Sequence, residues 1–201
     1  MSRSQGSPER RQGRERRADE TVVATTSAER YVMSAGRTSR LAVKEGDLFL
    51  YSDDLGQVPG AENSALGLYH RDTRYLSRLE LFVAGRQPVL LSAGAEPGYA
   101  ATVELTNLEA RTADGHALPQ ASIHVRRTRL ISDRLHETLR VCNYHRREVE
   151  VFIDLHFDAD FADLFEVRGS RRRRRGSRMA PRVEGSALTL SYFGLDEVMR
   201  Q

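Results

Sequence analysis

Apolar and polar residues alternate along most of the chain after about residue 40. The alternation is clearest between residues 119 and 160, where apolar side chains occupy every second position in three runs: Ile123 and Val125; Leu139 and Val141; Val149, Val151, Ile153, Leu155 and Phe157. A period of two predicts β-strands that turn one face to a core. No long stretch has the period of a helix, and only ADFADLFE, residues 159–166, indicates a helical turn.

Polar or glycine-containing breaks separate these runs and predict how the strands connect. We expect hairpins at three breaks, residues 45–47, 85–88 and 184–186, and an antiparallel meander over 119–160 through the breaks at 131–135 and 143–148. The pattern therefore predicts an all-β fold, an antiparallel two-sheet β-sandwich of the supersandwich-like kind. Its two sheets would bury their apolar faces against each other.

The first 38 residues differ from the rest, because they are rich in Arg, Glu, Ser and Thr and poor in apolar side chains. Such a composition predicts a disordered, charged leader over 1–38, with the sandwich over 39–201. No apolar segment of secretory-signal type follows the charged start, and no apolar run is long enough to predict a membrane span. Cys142 is the only cysteine, which excludes an internal disulfide and favours a reducing cytoplasm.

Positive charge is concentrated in one segment. Residues 168–182 contain eight arginines and no acid, so the rest of the chain carries a net −5 against +3 for the whole. A run of five lies at its centre: Arg171, Arg172, Arg173, Arg174 and Arg175. Three interpretations of this run are open: a solvated loop, contact with an acidic surface of a partner domain, and contact with the phosphates of a nucleic acid. Because no aromatic residue is interleaved with the arginines, nucleic acid is the least favoured of these partners.

Acidic residues are concentrated in DLHFDADFADLFEVRG, directly after the most regular run. Asp160, Asp163 and Glu166 recur every third residue and alternate with apolar anchors. Paired carboxylates can act as acid and base on a glycosidic bond or bind a hard cation, and acids are also favoured at a helix N-terminus. The spacing does not match a calcium-binding EF-hand loop. Asp154, His156 and Asp158 alternate with core positions, which predicts the solvated face of a sheet.

A second charged stretch, ALGLYHRDTRYLSRLEL, precedes a strand at residues 65–81. We expect Asp72 to pair with a neighbouring arginine, either Arg71 or Arg74, and Tyr75 to stack on a sugar ring or fill the core edge. His70 has no second histidine or cysteine at ligand spacing nearby. We expect no bound metal and no cofactor.

Several stretches, taken in order, resemble a known family. LAVKEGDLFLYSDDLGQVPG, ALGLYHRDTRYLSRLEL, FDADFADLFEVRG with the arginine run, and PRVEGSALTLSYFGLD are similar to the N-terminal domain of bacterial glycogen debranching enzymes of the amylo-α-1,6-glucosidase type. The resemblance covers about residues 41–200. It implies a β-sandwich placed before an (α/α) barrel that hydrolyses α-1,6 branch points and holds the acid and base carboxylates. This chain would then be truncated before the catalytic barrel.

The resemblance implies a non-catalytic module of a glycoside hydrolase that supports or docks on the barrel and contacts α-glucan. Eight residues are candidate contacts to sugar or to the barrel domain: His70, Asp72, Arg74, Tyr75, Asp160, Asp163, Glu166 and Arg168. Two alternatives stay open, namely glycosidic hydrolysis by Asp160 and Glu166, and binding of a nucleic acid or an acidic partner through the arginine run. Without the barrel, we expect an apolar docking surface to be exposed.

Overall fold

The computed structural model describes residues 23–24, 31–32, 40–61, 64–95 and 97–201. The chain divides into two compact units, Met1–Arg37 and Thr38–Gln201. In the first unit, strand β1 (Val23–Ala24) pairs antiparallel with β2 (Tyr31–Val32). Most of the predicted leader, residues 1–38, lies outside the described residues, so its disorder stays a prediction.

The second unit is built almost entirely from strands, as the alternation predicts. In chain order they are β3 Arg40–Glu45, β4 Leu48–Asp53, β5 Gly67–His70, β6 Thr73–Leu76, β7 Arg78–Val83, β8 Val89–Gly94, β9 Ala100–Thr106, β10 Ala110–Arg111, β11 Ala117–Leu118, β12 Ile123–Ile131, β13 Leu135–Asn143, β14 Ile153–Asp158, β15 Ser177–Arg178, β16 Arg182–Glu184, β17 Ala187–Thr189, β18 Tyr192–Phe193 and β19 Met199–Arg200. One helical turn, α1, spans Leu164–Val167. The predicted helical turn is therefore confirmed.

Two four-stranded antiparallel sheets form the body of the unit. One has the order β13-β12-β9-β8 and the other β3-β4-β5-β6. Val43 and Leu50 from the second sheet share a buried apolar cluster with Ala101 and Ile131 from the first. The all-β sandwich predicted from the alternation is thus confirmed, since each sheet buries one face against the other.

A two-stranded sheet, β7 paired with β14, covers the rest of the first sheet. Leu81 and Val83 of β7 pack in a second buried cluster with Leu105 of β9 and Val125 of β12. Strands β6 and β7 follow each other with only Ser77 between them. One chain segment therefore contributes to both parts of the layer that faces the first sheet.

Two predicted connections are wrong. β7 and β8 flank the turn at residues 85–88, yet β7 pairs with β14 and β8 pairs with β9, so they form no hairpin. The predicted meander holds for β12 and β13 but not for β14, which lies in a different sheet from β13. In both cases the apolar faces of consecutive strands pack on opposite layers, and a short turn does not by itself decide which strand becomes the partner.

The hairpins at residues 45–47 and 184–186 form as predicted, joining β3 to β4 and β16 to β17. Gly46 and Gly185 occupy these turns with φ values of 55° and 60°, in the left-handed region that glycine adopts without strain. None of the helices in the described ranges combines the length and apolarity needed to cross a membrane.

Candidate functional site

A partly buried ion pair joins the two charged stretches that the sequence singles out. Arg74 of β6 donates from Nε to Asp160 Oδ1 at 3.1 Å and from Nη2 to Asp160 Oδ2 at 2.5 Å. Its Nη1 donates to the backbone oxygens of Ser64 and Leu66. All three guanidinium nitrogens are therefore engaged, in the bidentate geometry that makes arginine–carboxylate pairs strong.

Gly67 makes room for this arginine. A Cβ at position 67 would lie 2.5 Å from Arg74 Cδ and 2.8 Å from the Leu76 backbone oxygen. Any larger residue would have to displace both the Arg74 side chain and the strand backbone. The glycine in the motif ALGLYH is thus explained by the close approach of Arg74.

The prediction that Asp72 pairs with Arg71 or Arg74 is wrong. Within the described ranges Asp72 forms no ion pair, while Arg71 contacts Asp47 at 3.5 Å and Arg74 binds Asp160. Arg71 and Asp72 both have positive φ, 45° and 62°, in the tight turn between β5 and β6. It is the backbone oxygen of Asp72 that contributes, by accepting a hydrogen bond from Leu164 N at 3.1 Å.

Two of the regularly spaced acidic residues, Asp163 and Glu166, cap the N-terminus of α1. Asp163 is the N-cap residue, and its Oδ1 accepts from the backbone N–H groups of Phe165 at 2.8 Å and Glu166 at 2.9 Å. Glu166 Oε2 in turn accepts from Asp163 N at 3.2 Å, which completes a capping box. Burial opposes ionisation of Asp163, but these backbone donors and Arg172 together lower its pKa.

The arginine run folds back on this acidic turn. Arg172 binds Asp163, Arg175 Nε contacts Glu166 Oε1 at 2.9 Å, and Arg178 binds Asp158. The three paired arginines, Arg172, Arg175 and Arg178, are spaced three residues apart. Three arginines of the run form no ion pair with the described part of the chain: Arg171, Arg173 and Arg174. Arg168 is exposed and ends α1 through its backbone N–H.

Aromatic side chains connect the candidate residues beneath this surface. His70 lies 6.1 Å from Tyr75, Tyr75 meets Phe161 edge-on at 5.6 Å, and Phe161 stacks on Tyr192 at 5.6 Å, all between ring centroids. The Arg175 guanidinium lies 5.9 Å from the Tyr192 ring centroid. Tyr75 therefore packs against an aromatic neighbour at the edge of the core, which was one of its two predicted roles.

Arg74, the acidic turn and the arginine run line an open cleft of about 390 Å³. Six charged residues line it: Arg74, Asp160, Glu166, Arg171, Arg172 and Arg175. Asp163 binds one of these arginines, whereas the candidates His70, Asp72, Tyr75 and Arg168 do not line the cleft. The structure thus brings together the acidic turn and the arginine run, two motifs that are adjacent in sequence, with Arg74 from a distant strand.

The carboxylates of the cleft are already occupied. Asp160 forms an ion pair with Arg74, Glu166 with Arg175, and the neighbouring Asp163 with Arg172. Glycosidic hydrolysis requires one carboxyl that is protonated and one that is free to act on substrate, and these ion pairs provide neither. Among the residues that the structure describes, no group of three or more His, Cys, Asp and Glu side chains is arranged to hold a metal ion. The cleft therefore presents mainly arginine donors.

A second charged cluster lies inside the sandwich. Arg127 and Arg129 of β12 point into the core, with side chains 0% and 2% exposed. Their Nε atoms donate to the two oxygens of Glu137 on β13, at 2.6 and 2.9 Å. The period of two that begins at Ile123 and Val125 places both arginines on the inward face, so the sequence carried a signal for this cluster. We did not predict this buried cluster from the sequence.

Gln57 extends the cluster to the opposite layer. Its Oε1 accepts from Arg127 Nη1 at 2.8 Å and from Leu81 N at 2.8 Å, while its Nε2 donates to Leu81 O at 2.9 Å. Arg127 and Arg129 each keep one buried Nη2 without a hydrogen-bond partner in the described part of the chain. Burial is the main reason that the pKa of Arg129 falls to about 10, so this arginine is still protonated at neutral pH.

Two edge strands of the sandwich, β13 and β14, expose apolar residues on their inward faces. Val141 of β13 is 44% exposed although its partner on β12, Val125, is fully buried. On β14, Leu155 and Phe157 are 40% and 44% exposed opposite the buried Leu81 and Leu79 of β7. The core is thus uncovered along its outermost strands, although their alternation is the most regular in the sequence.

A family model described as the N-terminal domain of (some) glycogen debranching enzymes matches residues 43–201. The match covers the two four-stranded sheets except for the first three residues of β3, and it includes the acidic turn and the arginine run. Neither the curated proteins nor the solved structures gave a match to this chain.

Proposed function

The chain belongs to the family of N-terminal domains of glycogen debranching enzymes, and on that premise we propose that the sandwich is a non-catalytic module that docks on the enzyme's catalytic domain. The uncovered inward faces of the edge strands carry this proposal. Val141, Leu155 and Phe157 continue the apolar pattern of a buried core, yet water reaches about two-fifths of each side chain.

Burial of such side chains supplies the driving force for docking. Completing the burial of a Leu or Phe side chain stabilises a complex by a fraction of the roughly 1.5–3 kcal/mol that full burial gives. Leu155 and Phe157 are open to a helical partner surface, because β14 lies at a sheet edge with β7 as its only strand partner among the described residues. The catalytic domain, as an (α/α) barrel, is the partner that we propose for this face.

The charged cleft has a second proposed role, contact with α-glucan or with the catalytic domain. Its arginines supply strong donors for sugar hydroxyls. Arg74 is fixed by its pair with Asp160, and Glu166 by its pair with Arg175. Asp163 caps the turn that carries Glu166, and Tyr75 packs against Phe161, the residue after Asp160, so both support the site without lining it. His70, Asp72 and Arg168 keep their proposed contact role without a further structural argument.

Docking can be measured with the full 201-residue chain and the catalytic domain of a glycogen debranching enzyme of this family, supplied as a separate polypeptide. We expect the double variant Leu155→Ser and Phe157→Ser to weaken binding in isothermal titration calorimetry by about tenfold or more, a loss of roughly 1.4 kcal/mol. Unchanged circular dichroism and urea unfolding would show that the variant is folded.

Val183→Ser is the matched control, because Val183 is 70% exposed and belongs to the separate β16–β17 hairpin. It should bind as the unmodified chain does. Equal binding by the double variant and the unmodified chain would refute docking through β14, and so would an equal loss in the control.

A further inference from the structure

We propose that the charged cleft binds a phosphate monoester carried by a sugar, either a hexose phosphate or a phosphorylated α-glucan. Recognition of the phosphate is inferred from the arginines of the cleft alone. The choice of a sugar as its carrier rests on the proposed function.

Donor groups remain available after the internal pairs are counted. A guanidinium has five N–H groups on three nitrogens. Arg172 uses Nε and Nη2 on Asp163, and Arg175 uses Nε on Glu166 and Nη2 on the Asp160 backbone oxygen. The Nη1 groups of both arginines, and the whole guanidinium of Arg171, form no hydrogen bond with the residues described here. The Ser170 side chain also lines the cleft.

The charge of the cleft favours an anion. Arg74, Arg172 and Arg175 neutralise Asp160, Asp163 and Glu166 one to one. Arg171 then contributes an uncompensated positive charge at the lining. Three arginines converging on one space match the three oxygens of a phosphoryl group, which accepts charge-assisted hydrogen bonds from guanidinium groups in pairs.

The arginines are also held in place before any ligand binds. Arg172 and Arg175 are anchored to the capping box of α1, and Arg175 lies against the Tyr192 ring. Such anchoring removes part of the side-chain entropy that binding would otherwise cost. A cleft of about 390 Å³ falls in the lower range of small-molecule sites.

The same geometry argues against a nucleic acid. Single-stranded nucleic acids bind along extended basic grooves in which aromatic rings stack on successive bases. Here Tyr192 stacks on Phe161, Phe161 is buried, and neither ring belongs to the lining of the compact cleft. Such a cleft suits one phosphate group rather than a phosphate backbone.

The test is a titration of the full 201-residue chain, at fixed ionic strength, with inorganic phosphate, glucose, glucose 6-phosphate and a single-stranded RNA oligonucleotide. A phosphorylated glucan, before and after phosphatase treatment, separates the polymer from the free sugar phosphate as source. We expect glucose 6-phosphate or the phosphorylated glucan to bind more tightly than inorganic phosphate, and glucose or the dephosphorylated glucan to bind at least about tenfold more weakly.

Arg171→Gln and Arg173→Gln form a matched pair, because each removes one exposed arginine from the same run but only Arg171 lines the cleft. The first should weaken sugar-phosphate binding about tenfold and the second less than about twofold. Equal losses in the two variants would indicate diffuse charge attraction and overturn the site. Tighter binding of RNA than of either sugar phosphate would overturn it in favour of nucleic acid.

Binding of inorganic phosphate without any gain from the sugar would overturn the sugar part of the proposal. Docking is measured separately with the Leu155 and Phe157 variants, so the failure of one proposal leaves the other standing.

Discussion

Arginine forms two clusters in this domain, one inside the sandwich and one on its surface, and they use the same side chain in opposite ways. Arg127 and Arg129 share the carboxylate of Glu137 and are excluded from solvent. Arg172, Arg175 and Arg178 each have a carboxylate of their own and stay largely in contact with water.

The difference shows how burial sets the consequences of a charge. In the core, two cations depend on one carboxylate, and no water is available to replace it if it is lost. On the surface, solvent and salt can replace any one partner, so the pairs order the segment without determining whether the domain folds. The interior cluster is therefore structural, and only the surface cluster has donors free to meet a ligand.

The largest loss of folding stability should follow removal of the carboxylate charge of Glu137 in the interior cluster. The Nε atoms of Arg127 and Arg129 both donate to the Glu137 carboxylate. Glu137→Gln removes this negative charge and leaves two buried guanidinium groups without it. We expect the free energy of unfolding to fall by about 3–5 kcal/mol in urea denaturation, the range for breaking a buried ion pair.

Glu184→Gln is the matched control, since Glu184 pairs with Arg182 in a hairpin where both side chains are about 70% exposed. It should change the free energy of unfolding by less than about 1 kcal/mol. Equal changes in the two variants would contradict the distinction between the interior and the surface cluster.

A smaller effect is expected in acid. Burial would raise the pKa of Glu137, but the neighbouring Arg129 and Arg127 more than offset it and hold the pKa below its ordinary value of 4.5. Because the folded-state pKa is the lower one, Glu137 stabilises the fold above pH 4.5, and that contribution is lost as the pH falls through the folded-state pKa.

Urea unfolding at several pH values between 7 and 3 measures this contribution. The unmodified chain should lose more stability in acid than Glu137→Gln does. Asp53, whose pKa is raised mainly by burial, works in the opposite direction but is present in both proteins and so cancels in the comparison. Parallel pH profiles would show that Glu137 does not titrate with folding.

The smallest effect should come from the surface cluster. Arg172→Gln removes an ion pair whose two side chains are partly exposed, while Asp163 keeps its role as the N-cap of α1. We expect a loss of less than about 1 kcal/mol at low ionic strength, shrinking further in 1 M salt, where exposed pairs are screened. A loss that is large or independent of salt would place this pair with the interior cluster.

The fold was predictable where alternating apolar residues defined a strand and a glycine turn joined two strands that pair with each other. β12 and β13 form over their apolar alternation as predicted, and so do the hairpins at Gly46 and Gly185. The last run forms a strand only from Ile153, and Val149 and Val151 lie before it. The hairpin at 85–88 was not predictable from its turn, because the pairing of β7 with β14 joins residues 70 to 80 positions apart. The predicted Asp72 pair failed for the same reason, since Arg74, two positions after Asp72, binds a carboxylate 86 residues away.

The all-β class, the capped turn at Asp163 and the family follow from the order of residues alone, because alternation, capping and motif order are local properties of the chain. Which charges meet depends on how the layers pack. Arg74 reaches Asp160 and Arg127 reaches Gln57 across the fold because burying a charged group without a partner is costly, and the partner is then whichever group the packed layers bring within reach.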